Sequence, residues 1–318
     1  MKKIFITGGS GFIGSFLVKK LLNEGHQVVV FDDFSRGKNR RLSDVSNRIK
    51  IVNGDVRNEK LLSNSCKGCD YFIHLAAING TKYFYEKPQE VLDVAIKGML
   101  SAINSCYKNK IKNFIFSSSS EVYQTPSIIP TPENVPLVVP DVFNPRYSYG
   151  AGKLISEVML LNYFSSFFKK VIIFRPHNVY GPDMGFEHVI PEMIQKAINA
   201  KKKPFVLKGN GKQTRSFIYI EDFIDALYKV IKYGKNRNIY HIGNNDEITI
   251  LSLAKKILKY FTKIYKIKSS KVPEGETFRR CPEIRKIKKL GYVQNFSIEE
   301  GLAKTVEWYK KNINLKES

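Results

Sequence analysis

The fold is decided by the stretch KIFITGGSGFIGSFLVKKLL, residues 3–22. An apolar run of strand length leads into closely spaced glycines, and an apolar pattern of helical period follows at once. Glycines allow a tight turn and let backbone N–H groups approach a pyrophosphate at a helix N-terminus. The spacings G-x-G-x-x-G and G-x-x-G-x-x-G overlap here, so the glycines do not identify the dinucleotide family. We expect a dinucleotide to contact Gly8, Gly11, Phe12, Ile13 and Gly14.

Further apolar runs of strand length recur along the first half of the chain. They are QVVVFDD (27–33), KIVNGDV (50–56), YFIHLAA (71–77), NFIFSSSS (113–120) and KVIIFRPHNV (170–179). The runs are continuous rather than alternating, which is typical of parallel strands that are buried on both faces. The sequence therefore predicts an α/β protein with a doubly wound (Rossmann) parallel sheet.

The rhythm of the chain changes after about Arg175 to short elements and turn glycines. We expect residues 1–175, with a returning segment near 215–235, to form the dinucleotide-binding domain. Residues 176–214 and 236–318 are expected to form a smaller mixed α/β lobe that binds the substrate.

Composition excludes several classes of protein. The chain has 318 residues, 43% of them hydrophobic, and can bury a large core. No apolar window approaches the length of a membrane span, so we expect a cytoplasmic protein. The formal charge of +23 comes from lysines spread over the whole chain. A polyanionic small substrate fits this charge as well as nucleic acid does, and we expect no nucleic-acid partner. The four cysteines are too scattered to predict a disulfide framework or a metal site.

The second predicted strand ends at Asp32, eighteen positions after Gly14. A carboxylate at this place accepts hydrogen bonds from both hydroxyls of the adenosine ribose and repels a 2′-phosphate, which favours NAD over NADP. Arg36 and Lys38 follow closely and could soften the preference. The third predicted strand closes with Asp55 and Val56, where a side chain can meet the adenine.

A tyrosine and a lysine four positions apart are candidates for catalysis. Tyr149 and Lys153 lie in YGAGK and share one face if SYGAGKLISEVMLLNY is helical. An ammonium beside a phenol lowers the phenol pKa, and lowering it from about 10 to about 7 requires roughly 4 kcal/mol. The pair therefore predicts a base whose phenol is activated by the lysine.

Taken together and in order, TGGSGFIG, Asp32, GDV, HLAA, SSSSEVY, YGAGK and RPHNVYGP resemble the extended short-chain dehydrogenase/reductases of the nucleotide-sugar epimerase/dehydratase type. The resemblance covers nearly the whole chain. It implies a bound NAD that removes hydride from sugar C4, with Leu75, Ala76 and Ala77 of HLAA beside the cofactor. It also implies that Tyr149 is the base on the C4 hydroxyl and that Lys153 holds the nicotinamide ribose. Ser119 would hydrogen-bond the reacting oxygen.

The serine run before Glu121 bears on the type of reaction. The resemblance associates a glutamate at this position with 4,6-dehydratases and glucuronate decarboxylases, and a small or neutral residue with simple 4-epimerases. After C4 oxidation, Glu121 could remove the acidic C5 hydrogen, which favours elimination of water. Many dehydratases have an aspartate as the acid where this chain has Ser120, a poor acid. We expect a 4,6-dehydratase first, then a C4 epimerase, then a decarboxylase.

The resemblance also names residues on the substrate side. It implies that Asn178, Arg215 and Arg280 contact the nucleotide-diphosphate sugar, because arginine meets phosphate oxygens bidentately. An insertion, IIPTPENVPLVVPDVFNP at 128–145, follows Gln124, where the family often has glycine, and we expect it to border the sugar pocket. A homodimer is implied by the family and by apolar residues on the predicted helices at 91–107 and 149–167. A non-catalytic NAD-binding protein on the same fold is the alternative from another class.

Overall fold

A parallel sheet of seven strands lies at the centre of the protein, as the buried apolar runs predict. The computed structural model describes residues 1–199, 204–262, 266–271 and 277–312. The central sheet has the order β11-β6-β5-β4-β1-β2-β3, and all its strands run parallel. The strands of the described ranges are β1 Lys3–Thr7, β2 Gln27–Asp32, β3 Lys50–Asn53, β4 Tyr71–His74, β5 Asn113–Ser117, β6 Lys170–Pro176, β7 Val179–Tyr180, β8 Phe205–Leu207, β9 Thr214–Ser216, β10 Ile218–Tyr219, β11 Asn238–Ile242, β12 Glu247–Thr249, β13 Ile267–Ser269 and β14 Arg279–Arg280.

Helices cover both faces of this sheet. The helices of the described ranges are α1 Phe12–Asn23, α2 Glu59–Ser65, α3 Thr81–Glu86, α4 Pro88–Lys108, α5 Ser148–Asn162, α6 Val189–Asn199, α7 Ile220–Tyr233, α8 Ile250–Leu258, α9 Arg285–Lys288 and α10 Ile298–Lys311. Helices α1 and α7 pack together on one face, whereas α2, α4 and α5 pack on the other. Among these helices, none is both long and apolar enough to cross a membrane.

The alternation of side chains along each strand explains the continuous apolar runs. Ile4 and Ile6 of β1 belong to the core beneath α1 and α7, whereas Phe5 between them belongs to the core beneath α2, α4 and α5. Successive side chains of a strand point to opposite faces, so a strand that is covered on both faces must be apolar at every position. The predicted doubly wound fold is confirmed.

The strand order places a crevice at the carboxyl end of β1. This strand lies between β2 and β4, and the chain crosses from one side of β1 to the other between β3 and β4. Ligands of open parallel sheets bind at such a switch point, outside the carboxyl ends of the strands. The glycine loop after β1 and the HLAA segment after β4 both end there.

The second half of the chain builds small sheets beside this edge. They pair β7 with β10, β9 with both β12 and β14, and β8 with β13. The predicted returning segment near 215–235 contains α7, which packs on the central sheet, but β11 also joins that sheet and falls in the range assigned to the smaller lobe. Strand β11 is an edge strand that includes Asn238 and His241, so it lacks the continuous apolar run of the other strands. The division into two domains stays a prediction, and 200–203, 263–265, 272–276 and 313–318 lie outside the described residues.

A buried ion pair fixes α5 to the central sheet. The guanidinium of Arg175 on β6 donates to both carboxylate oxygens of Glu157 on α5, at 2.8 and 2.5 Å. The two side chains are only 2% and 3% exposed. The same guanidinium donates to the hydroxyl of Tyr123, which also shares a hydrogen bond of 2.6 Å with His241. The helix that carries Tyr149 and Lys153 is therefore tied to the segment that carries Glu121.

Breaking this ion pair should destabilise the protein strongly. The substitution Glu157→Gln leaves Arg175 charged and without a carboxylate in the core, which we expect to lower the free energy of unfolding by about 3–5 kcal/mol. Urea denaturation measures this change. The matched control is Glu307→Gln, which removes an exposed pair with Lys311 and should change stability by less than about 0.5 kcal/mol. Equal stabilities of the two variants would contradict the structural role of the buried pair.

Candidate active site

The glycine loop between β1 and α1 forms a cradle that only glycine can build. Gly8 has a φ of +70°, and a Cβ there would lie 2.8 Å from the backbone nitrogen of Ala76. A Cβ on Gly14 would lie 2.2 Å from the carbonyl oxygen of Gly8. No side chain caps the N-terminus of α1, and its first turn has no acidic residue. These features fit a pyrophosphate, which would be held by backbone N–H groups and by the helix dipole.

Asp32 lies at the end of β2, where a dinucleotide ribose would meet it. Its carboxylate accepts hydrogen bonds from the backbone nitrogens of Ser10 and Phe34 at 2.8 and 3.0 Å. A Cβ on Gly37 would lie 2.4 Å from the Asp32 Oδ1, so the backbone there covers the carboxylate closely. The guanidinium of Arg36 instead lies over the ring of Tyr83, at 4.9 Å. The arrangement fits NAD, because a carboxylate at this place accepts from the ribose hydroxyls and repels a 2′-phosphate.

A cavity of about 370 Å³ joins this ribose position to the serine run. Its lining includes most of the residues that the sequence predicts, namely Gly8, Gly11, Phe12, Ile13, Gly14, Asp32, Val56, Leu75, Ala76, Ala77, Ser119, Ser120, Glu121, Tyr149, Lys153, Asn178 and Arg280. Asp55 is not among the lining residues, because its carboxylate turns to the guanidinium of Arg57. The roles of these residues toward ligands stay predictions.

Tyr149 and Lys153 lie on one face of α5, as their spacing predicts. Both side chains are buried, at 7% and 3% exposure. The Lys153 ammonium donates to the carbonyl oxygen of Ser117 at 2.7 Å and lies 5.8 Å from the centre of the Tyr149 ring. The Tyr149 ring stacks on Phe84, with 5.1 Å between the centroids. Both reactive groups are therefore held in place before any substrate binds.

Burial dominates the pKa values of this pair. Burial lowers the pKa of Lys153 to about 7, and the nearby Glu157 carboxylate opposes this shift. Burial raises the pKa of the Tyr149 phenol, while a hydrogen bond with Ser119 partly offsets the rise. The lowering of the Tyr149 pKa by Lys153 stays a prediction for the protein with bound NAD, because here the Lys153 ammonium bonds to Ser117 and burial dominates. The contact between Ser119 and Tyr149 agrees with the predicted register of the serine run.

Glu121 lies between two arginines. Its Oε1 accepts from Arg280 at 2.8 Å, and its Oε2 accepts from Arg146 at 3.3 Å. The exposed fractions of the three side chains lie between 10% and 16%. Burial on its own raises the pKa of Glu121, but Arg280 and then Arg146 outweigh it and hold that pKa at about 2. The site therefore carries an ionised carboxylate and two guanidinium groups at the end formed by the serine run.

Of the other two predicted substrate ligands, one lines the cavity and one does not. Asn178 lines the cavity, and its side-chain amide donates to the carbonyl oxygen of Ser216 at 2.8 Å. Arg215 does not line the cavity, and its guanidinium donates to the carbonyl oxygens of Thr214 and Thr277 at 2.8 and 2.7 Å. Its charge still contributes to the low pKa of Glu121. A direct contact between Arg215 and a nucleotide sugar stays a prediction.

The insertion after Gln124 is fixed to the segment that carries Arg280. The backbone nitrogen of Thr131 donates to the Cys281 carbonyl oxygen at 2.8 Å, and the Glu283 nitrogen donates to the Thr131 carbonyl oxygen at 2.8 Å. The hydroxyl of Thr277 donates to the Gln124 carbonyl oxygen at 2.9 Å. The loop thus continues along the chain that presents Arg280 to the cavity.

Arg146 is the main site residue that the sequence analysis missed. It stands three positions before Tyr149, and its guanidinium lies 5.5 Å from the ring centre of Phe84 as well as beside Glu121. The signal was available in NPRYSYGAGK, where an arginine falls just before the helix. Its partner is 25 positions earlier, however, and local spacing does not connect the two.

Asp32 should control the choice between NAD and NADP. The substitution Asp32→Asn removes the negative charge and one acceptor, so we expect the preference for NAD over NADP to fall by roughly 10–100-fold. Isothermal titration with each cofactor measures both dissociation constants. Asp44→Asn is the control, because the Asp44 carboxylate is 58% exposed, pairs with Lys19 and lies outside the cavity lining, so the ratio should stay unchanged. An unchanged ratio in Asp32→Asn would contradict this role.

Comparisons with known proteins agree with the fold. The model of the NAD dependent epimerase/dehydratase family matches residues 4–243. A UDP-N-acetyl-alpha-D-glucosaminuronate decarboxylase from Bacillus cytotoxicus is 32% identical over 322 residues, which cover 98% of both chains. A dTDP-glucose 4,6-dehydratase from Streptomyces venezuelae, crystallised with NAD and TYD, has a TM-score of 0.90 at 26% identity and 98% coverage of both chains.

A third relative catalyses a different reaction on the same fold. The UDP-N-acetylglucosamine 4-epimerase from Methanobrevibacter ruminantium has a TM-score of 0.87 at 27% identity, covering 98% of this chain and 99% of its own. Decarboxylase, dehydratase and epimerase thus share this architecture, and identity at this level does not choose among them. The family match supports an NAD-dependent enzyme that modifies nucleotide sugars. This chain belongs to the NAD-dependent epimerase/dehydratase family.

Proposed function

We propose that the protein oxidises C4 of a nucleotide-diphosphate hexuronate and then removes its C6 carboxylate as CO₂. The contact of Glu121 with both Arg146 and Arg280 carries this proposal. Within the part of the chain that the structure describes, two guanidinium groups share one carboxylate in a largely buried place, which gives this cluster a net positive charge. A substrate carboxylate would neutralise that charge, whereas a neutral hydroxymethyl group would not. The hexuronate decarboxylase among the relatives agrees with this choice.

The first step uses the residues on α5 and β5. Tyr149 takes the proton of the C4 hydroxyl, and Ser119 hydrogen-bonds the same oxygen. Lys153 holds the nicotinamide ribose, and its ammonium is anchored on the Ser117 carbonyl. When bound, NAD supplies the acceptor for the C4 hydride and returns the hydride after CO₂ has left.

Oxidation at C4 turns the hexuronate into a β-keto acid. The C5–C6 bond then breaks, CO₂ departs, and the electron pair moves through C5 to the C4 oxygen. Ser119 and the Tyr149 hydroxyl donate to that oxygen as its negative charge develops. C5 takes a proton from water, and Tyr149 returns its proton to the C4 oxygen as the hydride comes back. Arg280, which lines the cavity, holds the carboxylate until the bond breaks.

Elimination of water across C5 and C6 is the second candidate, and it is the reaction that the sequence favours. Glu121 lines the cavity close to Tyr149, where a C5 base would stand. A pKa of about 2 makes its carboxylate a weak base. The neighbouring Ser120 is a poor acid for the departing C6 hydroxyl. Decarboxylation needs neither group to transfer a proton at C5 or C6, so the site supports it better.

The proposal is tested by incubating the purified protein and NAD with UDP-glucuronate, UDP-N-acetylglucosaminuronate, UDP-glucose and dTDP-glucose. We expect the two uronates to lose the mass of CO₂ in mass spectrometry and the neutral sugars to stay unchanged. Loss of water from a neutral sugar would instead indicate dehydration. A new isomer of unchanged mass would indicate C4 epimerisation.

Arg280 provides a sharper test of the same proposal. We expect Arg280→Gln to lower kcat/KM for the uronate by about 100-fold, because a charged hydrogen bond to the substrate carboxylate is lost. Its neighbour on β14 offers a matched control, since Arg279 is 48% exposed and pairs with Glu247. Arg279→Gln should retain kcat/KM within about twofold. Equal losses of kcat/KM in the two variants would contradict the contact between Arg280 and the substrate carboxylate.

We also propose that the protein is a homodimer and that α4 and α5 form its interface. These helices pack side by side, and several of their apolar side chains are exposed, namely Ile96, Tyr107, Ile155 and Val158. Light scattering after size exclusion should give twice the mass of the chain. Val158→Lys should yield monomers, because it places a charge in the buried patch. Val293→Lys, at another exposed valine, should remain dimeric, and a monomeric parent protein would refute the interface.

A further inference from the structure

The rim of the cavity is formed from two distant parts of the chain. Arg36 and Arg41 line it on the side of the glycine loop, in the segment that follows β2. Met184, Gly185, Glu187 and His188 line it on the opposite side, in the segment that precedes α6. Any molecule that lies along the cavity is therefore flanked by both segments.

Asp183 joins these two sides. Its carboxylate oxygens accept from the two terminal nitrogens of Arg40 at 2.5 and 2.6 Å. Arg41 donates through Nη2 to the Asp183 carbonyl oxygen at 2.8 Å, and its Nε lies 3.2 Å from the carboxylate. The side chains of Asp183 and Arg41 are 16% and 9% exposed. We call Asp183, Arg40 and Arg41 the clasp.

The clasp continues into the glycine loop. The Nη1 of Arg41 donates to the Ser10 carbonyl oxygen at 3.3 Å and to the Arg36 carbonyl oxygen at 3.4 Å. Ser10 stands between the glycines that cradle the pyrophosphate position. One guanidinium therefore holds the loop on one side of the cavity and Asp183 on the other.

Two further contacts support the segment that carries Asp183. The Arg36 guanidinium lies 3.4 Å from the Glu187 carboxylate, which makes a second link across the rim. The hydroxyl of Tyr309 on α10 donates to the Met184 carbonyl oxygen. Asp183 itself has a φ of +60°, and both its carbonyl and its carboxylate contact the arginines.

We propose that the clasp retains NAD in the cavity between turnovers. The glycine loop holds the pyrophosphate of the cofactor, and the clasp prevents this loop and the segment 184–188 from separating. A cofactor enclosed in this way leaves only when the ion pairs of Asp183 open. The proposal rests on NAD binding alone and holds for decarboxylation, dehydration or epimerisation alike.

The test measures the rate of cofactor release rather than catalysis. Protein loaded with NADH is mixed with excess NAD in a stopped-flow instrument, and the loss of NADH fluorescence gives the dissociation rate. We expect Asp183→Asn to release NADH about tenfold faster, because both arginines lose their carboxylate partner. Asp225→Asn is the matched control, since Asp225 pairs with Lys20 on the α1–α7 face, and it should release NADH at the parent rate.

A second, milder variant keeps the test valid if Asp183→Asn does not fold. Arg40→Gln removes only the 37% exposed member of the clasp and leaves Arg41 with Asp183, so its release rate should lie between those of the parent and Asp183→Asn. Thermal unfolding of each variant identifies any that is not folded. The proposal is overturned if both variants fold and release NADH at the parent rate. If Asp183→Asn does not fold, release at the parent rate by Arg40→Gln alone overturns it.

Discussion

The ion pair between Arg175 and Glu157 is the interaction on which the active site depends. A charged pair in a core is stable only when its hydrogen bonds are complete, and here Tyr123 supplies an additional partner for the guanidinium. Because Glu157 lies one turn after Lys153 and Tyr123 lies two positions after Glu121, one guanidinium fixes both halves of the site. The apolar core holds the layers together, but this polar link sets their register.

The sequence predicts the features that depend on neighbouring residues. The apolar runs identify the strands of the central sheet because burial on both faces makes every position apolar, and the spacing of Tyr149 and Lys153 identifies one helix face. Edge strand β11, which includes Asn238 and His241, lies in the range that the sequence assigns to the other lobe. Local sequence patterns predict which positions are buried. They do not predict contacts between residues that are distant in the sequence.

The electrostatic properties of the site depend on residues that are distant in the sequence. The contact between Glu121 and Arg280 joins residues 159 positions apart, and no spacing rule connects them. The direction of the Tyr149 pKa likewise depends on burial and on where the Lys153 ammonium points, which spacing alone does not give. A glutamate that looks like a base in the sequence becomes, between two arginines, part of a positively charged receptor. The charge of this site is therefore a property of the assembled side chains more than of single motif residues.

The hydrogen bonds of Thr131 with the backbone of Cys281 and Glu283 bear on how such a site can diverge. These hydrogen bonds fix the insertion to the strand of Arg280, although the two segments lie more than a hundred positions apart in the sequence. A change in loop length would therefore shift Arg280 without altering Ser119, Tyr149 or Lys153. Exchange of the loop alone would break these hydrogen bonds, whereas joint exchange of the loop and the late strand would preserve them. The length of the insertion and the position of Arg280 are thus coupled, although the two segments are distant in the sequence.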